Sequence, residues 1–157
     1  MTFSIQLAKH LRDVYFGGNW TAVNLKDTLQ DVDWQMASRQ IADCNSIATL
    51  VYHMTYYVRE VTKVLQGGPL EAKDTFSFDH PPINSQTDWE NMLATIWEEA
   101  EVFASLIEKL PDERLMEYFP DPKYGIYNRN LLGIIEHLHY HLGQVVLIKK
   151  LLAASSS

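Results

Sequence analysis

Among its 157 residues the chain has one cysteine, Cys44. That excludes an internal disulfide and fits a reducing, cytoplasmic setting. Cys44 stands just before an expected helix start, and a lone cysteine there reads as a small buried filler. No uninterrupted apolar run reaches the roughly 18 residues that a membrane span requires. The opening Met1-Thr2-Phe3-Ser4-Ile5-Gln6 lacks a basic segment followed by an apolar one, so no secretory signal is expected. Basic residues are scarce too, 13 against 20 acidic ones, for a formal net charge of −7. Without a cluster of Lys or Arg, binding to nucleic acid or to a membrane surface is not expected. Lys149-Lys150 reads as a complement to the negative end of the last helix. Neither an internal repeat nor an alternating strand pattern is found.

What is present is helical periodicity. One stripe of Phe3, Leu7, Leu11 and Val14 predicts a helix from about Thr2 to Phe16, stopped by Gly17-Gly18. Asn24 to about Gln40 carries Leu25, Leu29 and Val32 and predicts one or two broken helical turns. A second long helix is expected from Asn45 or Ser46, both good caps, to Gln66 before Gly67-Gly68-Pro69. Its stripe is Ile47, Leu50, Val51, Met54, Val58, Val61 and Leu65. An irregular connection then runs from Gly67 to Ser85. The third helix is placed at Thr87 to Lys109 and the fourth at Asn128 to Ala153, with Ala154 to Ser157 as a frayed tail. The chain therefore reads as one all-α domain over residues 1–157, a four-helix bundle. A connection as long as the one between helices 2 and 3 crosses over the bundle more readily than it makes a hairpin. Helices 2 and 3 are then expected to run in the same direction.

The fourth helix holds the most informative residues. His141 falls at the centre of the stripe of Ile134, Leu138, Val145, Ile148 and Leu152, and His137 lies about 60° to one side. Two imidazoles on the apolar side of a helix are costly unless something binds them. A divalent metal such as zinc, nickel or iron suits a pair one turn apart, because neutral imidazole is a good ligand for all three. The competing reading is a pair of half-buried histidines hydrogen-bonded to neighbouring helices. His139 points roughly 140° away and cannot share the site. His53, at the edge of the second helix's stripe, can border the bundle interior. His10 reads as a solvated helix residue and His80 as a loop residue. Gln144 lies on the side of His137 and His141 and is open to two readings, a hydrogen bond to an imidazole or plain surface packing. Tyr52, Tyr56, Tyr57 and Tyr140 read as packing residues, one of which could line a pocket. Glu98-Glu99-Ala100-Glu101 reads as a solvated face, and Glu136 and His139 as solvated or at a dimer contact.

His53 within Leu50-Val51-Tyr52-His53-Met54, together with His137-x3-His141 and Tyr140-His141-Leu142-Gly143-Gln144, resembles the DinB/YfiT-like superfamily. Trp20, Pro81-Pro82 and Asp88-Trp89 are placed similarly, so the resemblance spans nearly the whole chain. It implies an up-down-down-up bundle with His53, His137 and His141 as a metal-binding triad. Characterised members use a low-molecular-weight thiol, which implies a thiol-dependent S-transferase or a related metal-dependent enzyme, such as a hydrolase, acting on a small molecule. Two other readings stay open: a metal-binding protein without turnover, and a structural bundle that forms a homodimer through an apolar face. A haem held between helices is disfavoured, because an H-x3-H pair on one helix suits a single ion.

Overall fold

A computed structural model describes residues 2–155. Among them are seven α-helices and no strand, with a single isolated bridge pairing Tyr118 and Ile126. Four helices are long: α1 (Phe3–Phe16), α4 (Ile47–Leu65), α5 (Gln86–Glu108) and α7 (Tyr127–Ser155). Three are short: α2 (Leu25–Leu29), α3 (Trp34–Ser38) and α6 (Asp112–Leu115).

Side-chain caps set the starts of most of them. The hydroxyl of Ser46 accepts from the Thr49 amide at 3.2 Å to open α4, and Ser85 accepts from Asp88 at 3.1 Å to open α5. Asn24 and Asp33 do the same for α2 and α3, at 2.9 and 2.8 Å. The stretch from Asn24 to Gln40 is therefore two separate one-turn helices. Thr2 caps α1, whose first-turn amides at Phe3 and Ser4 also donate to the Asp112 carboxylate at 2.8 and 2.9 Å. That contact ties α6 to α1 and holds the Asp112 carboxyl below the usual carboxylate range.

The principal helix pairings are α1 with α5, α4 with α7, α4 with α5, and α1 with α7. The first two long helices are thus joined by way of α2 and α3, and not packed as a simple hairpin. Leu11, Ile47, Met54, Trp89, Phe103 and Leu138 are fully buried at the centre. Each such side chain contributes about 1.5–3 kcal/mol by leaving water. The Trp89 indole N–H donates to the Val32 carbonyl at 2.8 Å, so the first turn of α5 is keyed to the segment after α2. By length and composition α7 could cross a membrane. Its apolar stripe, including Leu131, Leu138, Leu142 and Val145, is instead buried in the bundle.

Several expectations are corrected. Cys44 is exposed and not a buried filler, because it sits in a turn closed by its own amide on the Ile41 carbonyl at 3.1 Å. Lys149 reaches across to the Thr28 carbonyl and the Asp31 carboxylate, so it joins α7 to α2 beyond any role at a helix end. Glu99 is half-buried and grips Arg59 through both oxygens at 2.7 and 3.0 Å. Tyr140 is exposed and packs little. Ala154 and Ser155 are the end of α7 and not a frayed tail, while the tail expected at Ser156 and Ser157 lies outside the described residues.

Candidate metal centre

Because α4 packs along α7, His53 is brought against His137 and His141. Ring centroids are 4.9 Å apart for His53–His137, 4.7 Å for His53–His141 and 4.5 Å for His137–His141. One nitrogen from each ring falls in a set whose members all lie within 4.8 Å of one another. The Nε2 atoms of His53 and His137 are 3.1 Å apart. Two imidazole nitrogens on one tetrahedral zinc would be separated by about 3.3 Å, from bonds of about 2.0–2.1 Å.

The outer hydrogen bonds decide which nitrogens face inward. Ser77 Oγ donates to the Asp74 carbonyl at 2.6 Å, so towards His53 it can only accept. His53 Nδ1, 2.8 Å from that oxygen, therefore carries the proton, and its Nε2 turns a lone pair to the centre. On His141, Nδ1 lies 2.7 Å from Gln144 Oε1, an acceptor, and again holds the proton. Both rings are thus fixed as Nδ1–H tautomers with Nε2 free, the arrangement that metal-ligating histidines adopt. His137 Nδ1 is buried with no hydrogen-bond partner among the described residues, and its Nε2 faces that of His53.

Burial keeps two of the rings, His137 and His53, neutral. It pushes His137 down to about 4, with His141 and His53 adding to the effect and Asp74 opposing it. His53 is lowered by the same burial and by His141. Neutral imidazoles at pH 7 are ready donors with no proton to displace. The Phe78 ring stacks on His53 at 4.1 Å and 9°, fixing its plane. Tyr57 stands edge-on to His137 and donates to Asp74 Oδ1 at 2.6 Å. Burial, followed by Asp74, raises the Tyr57 phenol far above its usual range.

Three convergent imidazole nitrogens, two of them on rings held by outer partners, fit a divalent metal with a position left over. A cavity of about 820 Å³ opens beside them, with His137, Tyr57 and Asp74 on its wall. It runs along the first half of α7 below the connection from α4 and the loop before α7, and its volume is within the range for a small-molecule site.

Of the histidines singled out in the sequence, His53, His137 and His141 come together, whereas His10, His80 and His139 do not. His80 sits in the connection between Thr49 Oγ1 at 3.2 Å and the Pro81 carbonyl at 2.8 Å. His139 is half-buried and not solvated, because the exposed His10 of α1 lies over it at 6.2 Å. Burial and His10 lower its pKa. Gln144 touches His141, which decides between its two readings. Of Tyr52, Tyr56, Tyr57 and Tyr140, Tyr57 is the one on the cavity wall, where Tyr124 also stands. Asp74, Ser77 and Phe78 escaped the sequence reading; the one available hint was that a connection this long is often functional.

A family model described as the DinB superfamily matches residues 11–145, a span that includes all three histidines. No curated protein and no solved structure matches the chain. With most of its length and its clustered histidines inside the match, the chain belongs to the DinB superfamily.

Proposed function

We propose that this protein is a single-domain, divalent-metal-binding bundle with His53, His137 and His141 as ligands, and that it works as a thiol-dependent S-transferase or related metal-dependent enzyme. The observation that carries this reading is the inward convergence of His53 Nε2 and His141, each set by its own outer partner, beside an open cavity. A metal held this way would supply a Lewis-acid position that brings a thiol's pKa down towards neutrality. Zinc, nickel and iron all suit three imidazoles.

The chain's own residues supply the rest. Ser77 and Gln144 hold two rings in their ligating tautomers. Phe78 covers the His53 face and keeps water from that side. Tyr57 and Asp74, hydrogen-bonded to each other at the cavity wall, can take up a proton or orient a polar group beside His137. Cys44, exposed in a turn before α4, is no part of this arrangement. The up-down-down-up course of the bundle belongs to the same proposal, supported by the pairing of α4 with α5 across the long connection of residues 66–85.

Elemental analysis of purified protein should find close to one divalent metal per chain. Metal-loaded protein is then incubated with a panel of low-molecular-weight thiols and a haloarene, and thiol loss is followed. Conjugation that is faster than with His137→Ala and is kept in Cys44→Ser supports the enzyme. Bound metal with no such difference across the panel leaves a binding protein without turnover.

The expected homodimer also stands as a proposal. Tyr140, Leu147 and Leu151, respectively 66%, 58% and 44% exposed, share one side of the C-terminal half of α7. Light scattering on Leu147→Glu should give the monomer mass where the unaltered protein gives twice that.

A further inference from the structure

The cavity beside the histidines has a second polar end. Asn128, in the first turn of α7, is on its wall, and Asn128 Oδ1 is buried with no hydrogen-bond partner among the described residues. A buried acceptor left unpaired costs about 1–3 kcal/mol, so a ligand that brings a donor there is favoured. Next to it Arg129, also on the wall, gives one N–H from Nη1 to the Tyr124 carbonyl at 2.9 Å. A guanidinium carries five N–H donors, so others remain to be offered. Between this end and His137 the wall is largely apolar, with Val61, Leu70 and Leu132.

An unpaired acceptor beside a free donor is the complement of an amide, which presents an N–H to the first and a carbonyl to the second. A carboxylate fits less well, because it would set a charged oxygen against Asn128 Oδ1 and enter past Glu136 and Asp74 on the same wall. Asn128 and His137 are nine positions apart on α7, or about 13 Å along the axis. An extended backbone covers that distance with about four residues.

We propose that this cavity is a binding site for an elongated ligand of about tri- to tetrapeptide length, whose far amide is held by Asn128 and Arg129. Its near end reaches the three histidines. The near-end assignment rests on the metal reading above; the amide subsite does not. A thiol at the near end would lose its S–H proton to solvent as its sulfur took the metal's open position in place of a water molecule. The subsite would thus choose among thiols by the length and polarity of what trails the sulfur.

The test titrates cobalt(II)-loaded protein with N-acetylated Cys-Gly-amide, Cys-Gly-Gly-amide and Cys-Gly-Gly-Gly-amide, following sulfur-to-cobalt charge-transfer absorption. Affinity should rise about tenfold from the shortest to the longest peptide, the contribution of two hydrogen bonds. The rise should fall to about threefold in Asn128→Ala and in Arg129→Gln, each of which removes one of the two bonds, and both variants should bind the shortest peptide as the unaltered protein does. Equal affinity along the series, or a rise that stays undiminished in both variants, overturns the subsite. Asn128→Ala removes an unpaired acceptor, so its melting temperature should be unchanged or higher, and Arg129→Gln, at an exposed residue, is the second route should it not fold. Calorimetry of chelator-treated protein with the S-methylated longest peptide separates the two readings. Binding weakened by Asn128→Ala upholds the subsite even if cobalt is never taken up. Binding indifferent to both variants overturns the subsite even if cobalt is held.

Discussion

Replacing Ser77 by alanine leaves the His53 Nδ1–H without its acceptor and frees the ring to change tautomer or rotate. Outer partners of metal-bound histidines are worth about 10–100-fold in affinity. Zinc affinity of Ser77→Ala, measured by competition with a chromophoric chelator, should fall by that order, and Gln144→Ala should do the same through His141. His139→Ala, on the far side of the helix, should bind zinc unchanged; a loss there equal to that of Ser77→Ala would show that the assay reads general loosening of α7. Protonation gives a second residue-scale outcome. The unfolded chain's histidines titrate near 6.5, whereas His137 in the folded protein is pushed down to about 4. Below 6.5 the unfolded state takes up protons that the folded state refuses, so the metal-free protein is fully stable above 6.5 and loses stability as pH falls towards 4. Melting temperatures of chelated protein between pH 7 and 4 should show this decline, and it should be shallower in His137→Asn. Gln144 could be read as a partner of His141 because the two share a helix face three residues apart. Ser77 could not, since its contact with His53 spans a loop that has no period.

At the scale of elements, the site depends on how α4 ends and what the chain does next. Gly67 has φ +91°, and its amide and that of Gly68 close the end of α4 on Val64 and Lys63 at 2.9 Å each. Nothing lies within 4 Å of an added Cβ at Gly67, so the only cost of Gly67→Ala is the left-handed backbone. That cost is about 1–2 kcal/mol, or a fall of about 2–8 °C in melting temperature for a chain this size. A differential scan that shows no fall would mean that the turn relaxes to another conformation. The four long helices were legible to within a residue or two, since each carries a stripe and most carry a cap or a glycine stop. The connection was legible only as irregular, yet it contains a single 3₁₀ turn, Asp74–Phe76, that presents Ser77 and Phe78 to His53. That turn is held by long-range contacts, the Tyr56 hydroxyl on the Lys73 amide at 3.0 Å and Tyr57 on Asp74, which local sequence does not encode.

Across the whole molecule, the three histidines join two helices that are far apart in sequence, so occupancy of the site is coupled to the packing of α4 on α7. Breaking that packing separates the ligands, and a metal that binds only the assembled set resists the separation. At 100 times its dissociation constant such a ligand adds about 2.7 kcal/mol, which is about 5–10 °C in melting temperature for a chain of this length. Protein analysed beforehand for bound metal should therefore melt lower by that amount after chelation and recover when metal is returned. His141→Ala should melt at one temperature with or without chelator, since two imidazoles alone hold the ion weakly. His10→Ala and His139→Ala should keep the full difference, because that pair lies outside the cluster. A chelator effect that persists in His141→Ala would place the ion elsewhere. No effect in protein known to carry metal would mean that the ion does not bridge α4 and α7, and the three-histidine centre would have to be abandoned.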